Sequence, residues 1–150
     1  MLKEIGVNVR KLREGAELPR YATEYAAGCD LYACIDGDIE IAPHSTVKIG
    51  TGLAFEFPEG YCAKIYARSG LATKEGLAPA NKVGICDSDY RGEYIVALHN
   101  HSNEPKVIKN GDRIAQMVIE RYIRANFGLC SELSETERGA NGFGSTGVSK

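Results

Sequence analysis

Apolar and polar residues alternate along most of this chain, in runs too short for long helices. In residues 5–13, Val7 and Val9 stand between polar neighbours, a spacing of two that predicts a strand. Leu18-Pro19 ends that segment in a turn. Residues 25–33 follow, and Ala26, Ala27 and Gly28 allow close backbone packing there. Pro43 opens a loop, after which residues 46–57, TVKIGTGLAFEF, read as one long strand interrupted by glycines. Pro58-Glu59-Gly60 is a turn, and residues 61–67 alternate again. Residues 69–75 break the pattern. Ser69 is placed to cap a short helix that runs to Glu75. Asn110-Gly111 sits between two apolar arms, residues 106–109 and 113–119, and predicts a second tight hairpin. Strand, turn and strand at this spacing predict an all-β fold, an antiparallel barrel or sandwich with one short helix. No internal repeat or heptad is present.

The stretch that carries most polar chemistry is residues 81–93, NKVGICDSDYRGE. It starts as a strand, breaks into a polar turn, and resumes as a strand over residues 94–98. We expect a hairpin whose apolar arms are a rigid mount for the turn. Backbone N–H and C=O groups near such a turn can read the edge of a planar base. Asp87, where the first arm ends, can draw a proton from a water, and Tyr90 offers a flat face to a sugar. Asp, Ser and Gly are also favoured in turns for purely conformational reasons.

Composition narrows the classes. A chain of 150 residues is long enough for one domain with its own core. Hydrophobic content of 43% with 25% charged residues excludes wholesale disorder. The formal net charge of -2 leaves no basic footprint for nucleic acid, so positive contacts to an anion must be local. Five cysteines, Cys29, Cys34, Cys62, Cys86 and Cys130, form no C-x-x-C pair, which argues against a zinc knuckle. Reduced thiols fit an intracellular setting, cytoplasm or nucleus. No apolar run reaches membrane-spanning length, and residues 1–6 lack the apolar region of a signal peptide.

Other residues are singled out by their neighbours. Asp30 is a lone carboxylate before Leu31; it accepts backbone hydrogen bonds or acts as an outer ligand of a hydrated metal. Arg68 precedes the predicted helix start, where N–H groups attract phosphate. His99 and His101 share a strand face, but no third metal ligand accompanies them. Gln116 is a polar residue in an apolar strand, either satisfied in the core or aimed at a ligand. From residue 125 the chain turns to Ser, Glu, Thr, Gly and Asn. Within that tail, residues 138–147, RGANGFGSTG, set one aromatic among glycines. Glycines let N–H groups approach phosphate, and Phe143 can stack on a base.

Five blocks together resemble the trimeric dUTP pyrophosphatases (dUTPases): residues 27–31 (AGCDL), 68–72 (RSGLA), 84–93 (GICDSDYRGE), 111–116 (GDRIAQ) and 138–147. Cys86 stands where that family usually has an aliphatic residue, and Asn141 where it often has glycine. The resemblance implies a jelly-roll-like β barrel over residues 1–124, a flexible C-terminal arm over residues 125–150, and a homotrimer with shared active sites. It implies hydrolysis of dUTP to dUMP and pyrophosphate, with magnesium on the triphosphate. Asp87 would activate the water that attacks the α-phosphorus. Asn81, Gly84 and the hairpin backbone would read uracil, and Tyr90 would pack on the deoxyribose. Arg68, Ser69, Gly70 and Gln116 would contact phosphates, and Asp30 would meet the magnesium through water. Arg138, Phe143, Gly144, Ser145 and Thr146 would close over the nucleotide. Neither nucleic acid nor membrane is an expected partner. Two alternatives are a dUTP-binding regulatory trimer and a dCTP deaminase of related fold. The deaminases carry a glutamate ten residues after the aspartate matching Asp87, and Ala97 stands there.

Overall fold

The computed structural model describes residues 4–142 of the chain. Its strands are β1 (Asn8–Lys11), β2 (Arg20–Tyr21), β3 (Cys29–Tyr32), β4 (Ile39–Ile41), β5 (Thr46–Gly50), β6 (Leu53–Glu56), β7 (Tyr61–Tyr66), β8 (Leu77–Pro79), β9 (Val83–Cys86), β10 (Ile95–Asn100), β11 (Lys106–Ile108) and β12 (Arg113–Arg121). One helix, α1 (Ser69–Glu75), lies between β7 and β8. The fold is therefore mostly β with a single short helix, as the alternation predicts.

The strands form four antiparallel sheets, and no closed barrel runs through the described residues. The largest has the order β2-β3-β12-β7-β9; the others are β5-β10-β8, β1-β6 and β11-β4. One core joins all four. Leu31 of β3 and Ile114 of β12 are fully buried with Ile49 of β5, Leu98 of β10, Leu53 of β6, Ile41 of β4 and Ile108 of β11. Each side chain of this kind stabilises the fold by about 1.5–3 kcal/mol when buried.

Three expected pairings are replaced by crossings between sheets. The first is residues 46–57, which form two strands, not one. Thr51 is fully buried, and its Oγ1 donates to the Tyr94 carbonyl (2.7 Å). Gly52 adopts φ +68, and a Cβ there would sit 2.9 Å from Ala16 Cβ and 3.0 Å from Cys34 Sγ. Only glycine takes this corner without strain. It sends β5 to β10 and β6 to β1. The second is the Asn110-Gly111 turn. Gly111 has φ +83, the Ile35 N–H donates to Asn110 Oδ1 (3.0 Å), and the Gly111 N–H donates to the Ala33 carbonyl (2.8 Å). The turn forms, yet β11 pairs with β4 while β12 pairs with β3 and β7. The third is the central stretch itself: β9 pairs with β7, and β10 with β5 and β8. The two arms do not pair with each other.

The helix also differs in one detail. Its N-cap is Arg68, in extended backbone (φ -84, ψ 131), with no side-chain capping bond; Ser69 is the first helical residue. Gly76 ends it in the left-handed region, φ 69. Among the described residues no helix is long and apolar enough to cross a membrane. After Arg121 no further strand or helix forms in the described chain, and Ile123, Phe127, Leu129 and Leu133 are almost entirely exposed.

Candidate active site

Because β9 ends the five-stranded sheet, its outer backbone edge has no strand beside it among the described residues. Between that edge and the start of β10 lies a cavity of about 340 Å³, lined among others by Asn81, Gly84, Asp87, Tyr90 and Glu93. Lys82, at φ 60, bends the chain into β9, and its N–H donates to the Pro79 carbonyl (2.9 Å). Gly84 is needed for close packing: a Cβ there would lie 3.3 Å from both Asn81 Nδ2 and Ile65 Cβ. The cavity wall is thus largely apolar, with Asn81 and the open β9 backbone edge as polar groups that can meet a planar ring by its edge.

The turn beyond β9 is held from several sides. The Tyr90 N–H donates to the Asp87 carbonyl (3.2 Å), and Arg91 Nη1 donates to the Ser88 carbonyl (2.6 Å). Tyr90 Oη donates to the Glu93 carbonyl (3.1 Å), and its ring lies over Gly92 so closely that any Cβ there would overlap it. Arg91 also reaches Glu56 (3.3 Å), and Asn8 donates to the same carboxylate (2.8 Å). These two partners, Asn8 first, hold the exposed Glu56 carboxyl below its ordinary range. Glu93 accepts from the Gly52 N–H (2.8 Å), which ties the turn to the corner between β5 and β6. Asp87 itself is exposed and makes no ion pair among the described residues.

A second group of the expected residues gathers at the other end of β7. Asp30 is buried at 8% exposure, and both its oxygens are taken: Arg68 Nε donates to Oδ1 (2.7 Å) and Arg113 Nη1 to Oδ2 (3.3 Å). Gln116, opposite Asp30 in the β12–β3 register, donates to the Ala67 carbonyl (2.9 Å). Its other amide atom fills the space above Gly28, where a Cβ would come within 2.7 Å. So Gln116 is satisfied inside the fold and fixes the backbone just before Arg68. Arg113 is the member that residue-by-residue reading leaves without a role, although it lies inside the GDRIAQ block three places before Gln116. With one carboxylate against two guanidiniums, this cluster carries surplus positive charge, suited to an anion.

The two groups are not brought into one cavity. Arg68 and Arg113 border a separate depression with Leu71, Lys106 and Asp112. Ser69 and Gly70 are exposed on the first turn of α1. In the arm, Arg138 Nε donates to the Asn141 carbonyl (2.9 Å). Phe143, Gly144, Ser145 and Thr146 lie outside the described residues. His99 bonds Thr46 Oγ1 (2.9 Å) and stacks edgewise on His101 at 4.4 Å, so the pair is accounted for without a metal.

The dUTPase family model matches residues 14–147. The deoxyuridine 5'-triphosphate nucleotidohydrolase of Desulfitobacterium hafniense (strain DSM 10664 / DCB-2) is 52% identical over 151 residues, covering 99% of this chain and 100% of that protein. The protein of the same description from Hydrogenobaculum sp. (strain Y04AAS1) is 49% identical over 140 residues, covering 93% of this chain and 96% of that one. Among solved structures, a mutant of the Staphylococcus bacteriophage 80alpha dUTPase with dUpNHpp superimposes with a TM-score of 0.87 at 25% identity, over 95% of this chain and 99% of that chain. A mutant dUTPase from phage phi11 of S. aureus, described as coordinating a structural Mg(II) ion, shares the fold: TM-score 0.79, 22% identity, 87% of this chain and 100% of that one.

Proposed function

This chain belongs to the dUTPase family, and from that premise we infer how it hydrolyses dUTP to dUMP and pyrophosphate. The observation that carries the reading is the unpaired edge of β9 beside a cavity lined by Asn81, Gly84, Asp87 and Tyr90. Uracil enters between the two arms and meets Asn81, Gly84 and the free backbone edge. Tyr90, braced over Gly92, is the wall for the deoxyribose. Asp87, exposed and without a cation on it among the described residues, takes the proton of the water that attacks the α-phosphorus. Such chemistry needs positioning and charge more than covalent help.

Arg68, Ser69, Gly70 and Gln116 serve the phosphates. Among the described residues no group of three or more His, Cys, Asp or Glu side chains gathers to hold a metal. The buried carboxylate of the phosphate cluster, Asp30, already serves two arginines. That donor set does not suit a resident metal. It suits a hydrated magnesium held mainly by substrate phosphates and met by Asp30 through water. When bound, magnesium supplies countercharge to the triphosphate.

That the two groups face different cavities supports a site completed between copies of the chain. In the homotrimer we propose, one subunit gives the Arg68 cluster and a second the Asn81–Tyr90 cavity. A third gives an arm, residues 125–150, whose Arg138, Phe143, Gly144, Ser145 and Thr146 close over the nucleotide. Jelly-roll packing of the four sheets is part of the same proposal. The test is pyrophosphate release measured with dUTP, dCTP, dTTP and UTP. We expect turnover of dUTP far above the rest; ammonia release from dCTP would favour the deaminase instead.

A further inference from the structure

Asp87 opens a four-residue turn, and the bond from the Tyr90 N–H to the Asp87 carbonyl (3.2 Å) closes it across Ser88 and Asp89. That bond fixes the two ends of the turn. It does not fix the central peptide, between Ser88 and Asp89, whose rotation exchanges one turn type for another. Here the carbonyl of that peptide is held from outside the turn. Arg91 Nη1 donates to it at 2.6 Å, and to the Tyr90 carbonyl at 3.3 Å. Ser88 follows Asp87 directly, so the guanidinium grips the backbone one residue from the carboxylate.

The guanidinium is itself aimed. Arg91 borders no part of the base cavity; it borders a depression over the β1–β6 pair, with Asn8, Val9 and Phe55. Its Nη2 donates to Glu56 Oε1 at 3.3 Å. Glu56 stands opposite Asn8 in the β1–β6 register, and Asn8 Nδ2 donates to its other oxygen at 2.8 Å. A chain of polar contacts thus runs from β1 through β6 to the peptide that follows Ser88. Arg91 and Glu56 are both half exposed, so their pair adds little to stability. What it fixes is direction. A planar guanidinium holds one carboxylate and two carbonyls at set angles, which a lysine ammonium does not. Resting on the dUTP reading above, we propose that Arg91, aimed by Glu56, is a positioning residue for Asp87. It keeps the turn in the form that presents the Asp87 carboxylate to the attacking water.

The test compares wild type with Arg91→Ala, Arg91→Lys, Glu56→Ala and Glu56→Gln, by thermal melting and by steady-state dUTP hydrolysis. Arg91→Ala should lose kcat by about tenfold and keep KM within about twofold, the pattern of misplaced chemistry and not of lost binding. Arg91→Lys should not restore it. Glu56→Ala should lose kcat by about threefold, and Glu56→Gln, which keeps an acceptor for Arg91, should recover most of that loss. All four should melt within about 2 °C of wild type, as exposed substitutions do. Adding Arg91→Ala to Asp87→Asn should slow single turnover by less than about twofold further, because the effect passes through the carboxylate. Wild-type kcat in Arg91→Ala, a loss carried by KM, or losses that multiply in the double variant would overturn the proposal. So would a kcat loss that tracks a lowered melting temperature. An inactive wild type would overturn the dUTP reading first, and this proposal with it.

Discussion

Asp30 and Asp87 are both carboxylates next to an expected phosphate path, and the fold treats them in opposite ways. Asp30 lies in the second strand of a five-stranded sheet, buried, with an arginine on each oxygen. Asp87 follows the last residue of an edge strand, exposed, with no ion pair among the described residues. A carboxylate bonded to two guanidiniums has both its oxygens occupied by donors. A carboxylate free of cations keeps its oxygens open to a water. In the proposed function the first arrangement holds charge in place and the second moves a proton.

The sharpest way to break this contrast is Asp87→Asn. It should leave nucleotide binding intact and lower kcat by roughly 10²–10⁴, the usual size of general-base catalysis. Single-turnover rates near wild type would remove Asp87 from the role. Next in size is a mixing experiment that asks whether the two regions act on one nucleotide from different subunits. Homotrimers of Asp87→Asn and of Arg68→Gln should each be nearly inactive. Random mixed trimers should regain up to about a quarter of wild-type activity, because some sites then combine two intact halves. No recovery in verified mixed trimers would place both halves in one chain.

The Asp30 side of the contrast is a matter of stability. Asp30→Asn leaves two guanidiniums side by side without their shared anion. Urea melts should show a loss of about 2 kcal/mol, the size expected for hydrogen bonds to a charged group. Asp87→Asn should melt within about 0.5 kcal/mol of wild type, as exposed substitutions usually do.

Much of this was legible in the chain. The alternation over residues 61–67 and the turns at Pro58-Glu59-Gly60 and Asn110-Gly111 all form where the pattern places them. What was not legible is pairing. Alternation says which face of a strand is buried, not which strand lies beside it. The two expected hairpins and the long strand over residues 46–57 each cross between sheets for that reason. In the site, Asp30 read as a backbone acceptor or a metal's outer ligand, because its arginine partners lie 38 and 83 residues away. Gln116 was open between core and ligand, and the Ala67 carbonyl that takes its amide N–H lies 49 residues away.

Two smaller effects refine the picture of the cavity. Gly92→Ala would displace the Tyr90 ring from its seat. The preference for dUTP over UTP in kcat/KM should then fall by about tenfold, with stability changed by less than about 1 kcal/mol. Tyr94→Phe should act at alkaline pH. Burial raises the Tyr94 phenol above its ordinary value of 10.0. The unfolded chain therefore ionises first, and wild-type stability falls as pH rises past that value. The variant lacks this group and should unfold at a slightly higher pH in an alkaline titration followed by circular dichroism.

The position of β12 has a consequence for how the chain can be made. It is the last strand among the described residues and the middle strand of the largest sheet, between β3 and β7. The Cys29 thiol meets the Met117 carbonyl across 88 residues of chain. Until β12 leaves the ribosome, β3 and β7 each lack a neighbour, and their open edges can pair with other chains. Folding of this sheet therefore waits for β12 and is slow by the measure of contact separation. A chain stopped before Arg113 should remain unfolded and aggregate, although it already carries Asp30, Arg68, Asn81, Asp87 and Tyr90.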